Sequence, residues 1–203
     1  MAHIAEYTID SSDAGKDQRR YSLTEYLKRE SRSKYKHEFL NGQIVRMPYA
    51  KGPHNIITAN ISAELIIGSD KTDSNCVVFS SDQKIYFPIL NEGVYPDVVL
   101  VNGLAQYTDP EKLLLLNPCL VIEVLSKSTA DYDRTAKFEK YKSVDSFEEY
   151  LLVSQDEPKV EIWSKRGNGD WIESIAYGIS GIINLSSQGF SVRMDRIYSN
   201  VQL

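Results

Sequence analysis

Cysteine is scarce: only Cys76 and Cys119 occur in 203 residues, and both fall in strand-like runs. Two core thiols are expected, rather than a disulfide framework or a zinc ligand set. Long apolar stretches are missing as well, since none approaches the ~18 residues a membrane-crossing helix needs. The polar start lacks the basic-then-apolar layout of a signal peptide. These absences predict a cytoplasmic protein with no membrane partner. Neither a P-loop nor a dinucleotide glycine pattern occurs, and no serine or cysteine triad is evident. No internal repeat, low-complexity tract or linker interrupts the chain. With 42% hydrophobic and 25% charged residues it can bury a full core unaided. Residues 1–20 are expected to be a polar N-terminal arm, docked on the body or on a second copy, and 21–203 a single domain.

The net charge of −5 is unevenly spread. Between Lys16 and Lys36 eight basic residues face three acidic ones, so the remainder is more acidic than the total suggests. A basic stretch beside an acidic site suits a phosphate backbone. A solvated, lysine-rich helix face accounts for the same pattern.

The element order reads as α/β. Ser22 and Glu25 form a capping-box signature before an apolar stripe of Leu23, Tyr26 and Leu27. Tyr35–Leu40 and Gln43–Met47 flank Asn41-Gly42, a strong two-residue hairpin signal. Helical spacing runs from Pro53 to about Gly68, which is expected to stop it. Strands are predicted at Cys76–Ser80, Lys84–Phe87, Tyr95–Val101 and Cys119–Leu125. A polar turn and a helix to about Lys142 follow. Further strands are expected at Tyr150–Val153, Val160–Ser164 and Trp171–Ala176.

Two of these strands carry a carboxylate within an apolar run: Asp97 in Tyr95–Val101 and Glu123 in Cys119–Leu125. An unpartnered acid there costs several kcal/mol, roughly, so each must be bonded, paired or bound to a cation. Alternation places Asp97 on a face with Val99 and Val101, and Glu123 with Val121 and Leu125. If the runs pair antiparallel, the two acids meet at one sheet edge and form an oxygen-ligand set suited to Mg²⁺ or Mn²⁺. Asp133, Lys137 and Tyr141 follow at four-residue spacing on one helical face. That spacing points Lys137 toward the end of the preceding strand, or forms a simple Asp133–Lys137 surface pair.

Pro96-Asp97, Glu123-Val124-Leu125-Ser126 and Asp133…Lys137…Tyr141 together resemble the Uma-two family, a branch of the PD-(D/E)XK restriction-endonuclease-like superfamily. The similarity extends to Tyr35-Lys36-His37-Glu38-Phe39-Leu40-Asn41-Gly42, His54, Ser80-Ser81-Asp82 and Phe147–Val153, covering about Ser22 to Trp163. It implies an α/β fold with a restriction-endonuclease-like mixed central sheet flanked by helices, preceded by a helix and a hairpin. It also implies metal ligation by Asp97, Glu123 and the Val124 carbonyl. One departure from the pattern stands out: Leu125 occupies the place of the expected lysine, so Lys137 becomes the candidate for a lysine moved to the adjacent helix.

The resulting expectation is a Mg²⁺- or Mn²⁺-dependent endonuclease acting on DNA, with Asp97, Glu123 and Lys137 catalytic. Glu38, His54, Asp82 and Tyr141 are accessory candidates, and Arg19, Arg20, Arg29 and Arg32 nucleic-acid contacts. A homodimer is the expected assembly. The alternative is a silent nuclease-fold module that binds nucleic acid or a protein through its basic segment. A hydrolase of some other phosphate ester has no motif of its own here.

Overall fold

The computed structural model describes residues 19–72 and 74–203, so the expected arm falls outside them except for Arg19 and Arg20. Helix α1 (Leu23–Glu30) starts with the anticipated capping box: Ser22 Oγ accepts from the Glu25 N–H, and Glu25 Oε2 accepts from the Ser22 N–H. Its buried Tyr26 stacks on Phe39, centroids 5.0 Å apart, and donates from its hydroxyl to the His37 carbonyl at 2.5 Å. Strands β1 (His37–Leu40) and β2 (Gln43–Arg46) close over Asn41 and Gly42. Both turn residues have positive φ, 50° and 77°, which is why asparagine and glycine stand there.

Helix α2 (Gly52–Lys71) buries Ile57, Ile61 and Leu65 on one face. It runs past Gly68, which therefore acts as a packing residue rather than a stop. A Cβ at Gly68 would lie 2.4 Å from the Phe190 ring.

The remaining strands are β3 (Cys76–Ser80), β4 (Lys84–Phe87), β5 (Glu92–Val94), β6 (Val98–Asn102), β7 (Leu114–Leu115), β8 (Leu120–Leu125), β9 (Glu149–Ser154), β10 (Lys159–Lys165), β11 (Trp171–Tyr177), β12 (Ile182–Leu185) and β13 (Phe190–Arg193). Between β8 and β9 lie α3 (Ala130–Tyr132), a π-helical turn (Asp133–Lys137) and α4 (Phe138–Lys142), and α5 (Met194–Ile197) comes last. The central sheet is mixed, in the order β11-β10-β9-β8-β6-β3, with β6 antiparallel and β9 parallel to β8. A second sheet, β2-β1-β5-β4-β7, carries the hairpin.

Strand alternation sorts the core into two layers. Val98, Leu100, Leu120, Ile122 and Val124 pack with α2 and the β12–β13 hairpin, whereas Val99, Val101, Val121 and Leu125 pack with Phe138, Tyr141 and Tyr150. The sequence placed β6 too early. Pro96 has no N–H to give to a ladder, and pairing begins only at Val98. Strands β5 and β7 and the C-terminal β12, β13 and α5 were not anticipated, β5 and β7 being only three and two residues long. Both cysteines are free thiols, as expected, and burial pushes Cys119 up to about 12. Among the described residues no helix is long and apolar enough to cross a membrane.

Gly68→Ala sets two effects against each other. Alanine gains about 1 kcal/mol of helix propensity, while a forced contact in a packed layer costs about 1–3 kcal/mol. Urea denaturation should show a net loss of stability in the native background and a net gain when Phe190→Ala clears the space.

Candidate functional site

Continuing the β6–β8 register one step beyond Val98↔Ile122 sets Asp97 opposite Glu123, on the face shared with Val99 and Val121. At this point Asp97 takes over the ladder: its Oδ2 accepts from the Val124 N–H at 2.7 Å. The first turn of α2 brings His54 Nε2 to 3.2 Å from the same oxygen. These two side chains form the accessible part of the site, at 18% and 14% exposure.

Behind them lies a buried charge cluster centred on Lys137. Its Nζ is 2.8 Å from Glu123 Oε1, 3.6 Å from Asp133 Oδ1 and 3.7 Å from Glu38 Oε1, and it donates to the Tyr95 carbonyl at 3.1 Å. Tyr141 donates from its hydroxyl to Glu123 Oε1 at 2.7 Å. Lys137 ends the π-helical turn and Tyr141 lies four residues on in α4, so both reach Glu123 from one helical face.

Three buried acids share one buried ammonium. Burial pushes Glu123 well above the usual carboxylate range; Lys137 opposes this, and Asp133 and Asp97 reinforce it. Glu38 and Asp133 are raised by burial too, against the pull of Lys137. For Lys137, burial favours the neutral form, yet Glu123, Asp133 and Glu38 outweigh it and hold the ammonium charged, well above the usual lysine value. One oxygen is left over: buried Glu38 Oε2 has no hydrogen-bond partner. Glu149, equally buried, shows what a structural acid looks like here. It accepts from Ser164, from the N–H and hydroxyl of Ser186, and from Ser187.

Of the sequence candidates, Asp97, Glu123, Lys137, Glu38, His54 and Tyr141 converge. Val124 joins them through its N–H. Asp82 does not converge, being an exposed turn acid paired with Lys36. Leu125 packs into the core beside Phe138 and Tyr150, so a lysine there would displace apolar contacts. Asp133 was missing from the candidates; its i,i+4 spacing to Lys137 was the available signal, but it reads equally as a surface pair. Arg19 pairs with Glu25, Arg20 with Asn41, and Arg29 lies over Tyr21, while Arg32 is exposed on the turn after α1. Among the described residues no three His, Cys, Asp or Glu side chains form a ready-made cation cage.

Residues 23–192 match the Uma2 family, described as "Putative restriction endonuclease". Two uncharacterized proteins of Synechocystis sp. are similar. One is 33% identical over 165 residues, 81% of this chain and 92% of the relative. The other is 34% identical over 177 residues, 87% and 90% of the two chains. The fold resembles the crystal structure of a "putative nuclease belonging to DUF820" from Anabaena variabilis, with a TM-score of 0.67 over 84% of this chain and 93% of that one. At 15% identity that likeness concerns the fold alone.

Removing the shared cation should be costly. Lys137→Met keeps the bulk and strands the buried acids, which predicts a loss of about 3–5 kcal/mol at neutral pH. A carboxyl that binds its proton more tightly folded than unfolded loses stability as pH rises above its unfolded value, about 4.3 for glutamate. The deficit should therefore shrink as pH falls toward 4, measurable by chemical denaturation across pH.

Proposed function

Because the chain belongs to the Uma-two family of restriction-endonuclease-like proteins, we propose that it is a divalent-cation-dependent endonuclease hydrolysing phosphodiester bonds in DNA. The supporting observation is the convergence of Asp97, Glu123 and Lys137 on one partly open end of the central sheet. The donor set of two carboxylates and a carbonyl suits a hard cation, since it is all oxygen, and the orphaned Glu38 Oε2 belongs to the same charge cluster on the Lys137 side. Asp97 and Glu123 would hold Mg²⁺ or Mn²⁺ with the Val124 carbonyl, and Glu38 stands close behind. Two carboxylates suffice for Mg²⁺, which keeps several waters. When bound, the ion supplies Lewis-acid polarisation of a phosphoryl oxygen and lowers the pKa of water.

The chain's own residues supply the rest. The Val124 N–H and His54 both hold Asp97 Oδ2, and Tyr141 and Lys137 both hold Glu123 Oε1. Lys137, kept charged by its acids, orients the attacking water and offsets negative charge on the phosphate. Water attacks phosphorus as the bond to one bridging oxygen breaks; the water's proton passes to solvent and the departing oxygen takes one up from solvent, leaving a phosphate monoester and a hydroxyl. A two-fold dimer would present one site to each strand of a duplex, which light scattering tests directly.

A silent binding module is the second reading. One observation favours it: Lys137 already serves the acids as internal counter-ion.

Calorimetry should show Mn²⁺ or Mg²⁺ binding that raises thermal stability by mass action and is lost in Asp97→Asn and Glu123→Gln. Cleavage of plasmid and single-stranded DNA should require the ion, disappear in Glu123→Gln and fall by roughly 10² or more in Lys137→Ala. Absence of divalent-ion binding at millimolar concentration would leave the binding module in front.

A further inference from the structure

The hairpin that carries Glu38 also has an outward side. Residues 28–51 hold seven lysines and arginines against two acids, in a chain of net charge −5. Both acids turn inward: Glu38 is 1% exposed, and Glu30 accepts from the His37 N–H and the Tyr95 hydroxyl. Of these cations Lys36 is paired with Asp82, whereas the Arg46 guanidinium lies 3.7 Å from the Tyr35 ring centroid and 5.9 Å from that of Tyr49. The two rings meet edge to face at 6.0 Å. Tyr49 is nevertheless 76% exposed and Tyr35 42%.

Side chains so exposed add little burial energy to the fold, yet they present π-faces beside cations. Aromatic rings with an arginine plane are the chemistry that holds unstacked bases, because every base has a π-face. The location suits the proposed site. Tyr49 precedes His54 by five residues, so their Cα atoms are at most about 18 Å apart, a span that a few nucleotides of extended strand cover. His54 in turn touches Asp97.

We infer that the Tyr35–Arg46–Tyr49 stack is a platform for unpaired bases of a nucleic acid whose backbone runs into the Asp97–Glu123–Lys137 centre. The inference rests on the nuclease reading and adds its substrate class: single-stranded segments such as overhangs or flaps. Bases of a continuous duplex are stacked on one another and offer no free face to the tyrosines.

The test is binding rather than cleavage. Anisotropy is measured on a fluorescent oligothymidylate, the same strand with abasic sites, and a blunt duplex of equal length, with and without Mg²⁺, and strand integrity is checked on gels. Tyr49→Ala should weaken oligothymidylate binding roughly 5- to 100-fold. The salt slope should stay unchanged, because no phosphate contact is lost. Abasic strand and duplex should change less than about twofold, and Tyr49→Phe should bind like the native chain. Circular dichroism of Tyr49→Ala should match the native spectrum. If the native chain binds oligothymidylate and Tyr49→Ala binds it equally well, the platform is wrong while the nuclease reading stands. A native chain that binds none of the three probes overturns the platform and counts against the nuclease reading as well.

Discussion

The structure turns on one ammonium group buried among carboxyls. Lys137 draws Glu123 from β8, Glu38 from β1, Asp133 from its own π-helical turn and the Tyr95 carbonyl from the approach to β6 onto a single atom. None of these groups would be tolerated alone at its depth, because an isolated buried charge costs several kcal/mol, roughly. The two sheets and the crossover helix are therefore tied together where their charges must be shared. The attraction is not fully balanced, and this separates the cluster from an ordinary buried ion pair.

The imbalance is local. At the other end of β9, Glu149 is as deeply buried as Glu38, but serine hydroxyls and a backbone N–H satisfy it. Near β6 and β8 the carboxyls outnumber the donors and one oxygen goes unbonded. Polar groups held short of partners inside a low-dielectric layer are expensive, and natural folds keep them where a ligand or a charge change will complete them. The apolar packing on both faces of the central sheet, from Ile57 and Leu65 on one side to Phe138 and Tyr150 on the other, supplies the rigidity that holds this cost in place.

The layout also divides labour across the hairpin. One face of β1 lends Glu38 to the buried cluster, and the opposite face, with Phe39, packs against Tyr26 of α1. Beyond them, the exposed Arg46 and its tyrosines carry basic and aromatic character on the surface. A short connection from β2 then delivers His54 to Asp97, so hairpin, surface stack and accessible acid are linked through a few residues of chain.

Much was legible from the residues alone. Period-two alternation put Asp97 and Glu123 on the faces they occupy, Asn41-Gly42 marked the hairpin, and Ser22 with Glu25 marked the start of α1, because these depend on local geometry. The pairing of Asp97 with Glu123 followed once antiparallel neighbours were assumed, and the fold provides them. What the sequence left open was depth. An i,i+4 Asp133–Lys137 pair and a strand glutamate at position 38 look the same on a surface as in a core, and only the closing of the second sheet and the crossover helix over them removes the water. The continuation of α2 through Gly68 was likewise undecidable locally. The reason for that glycine is the ring of Phe190, more than a hundred residues away.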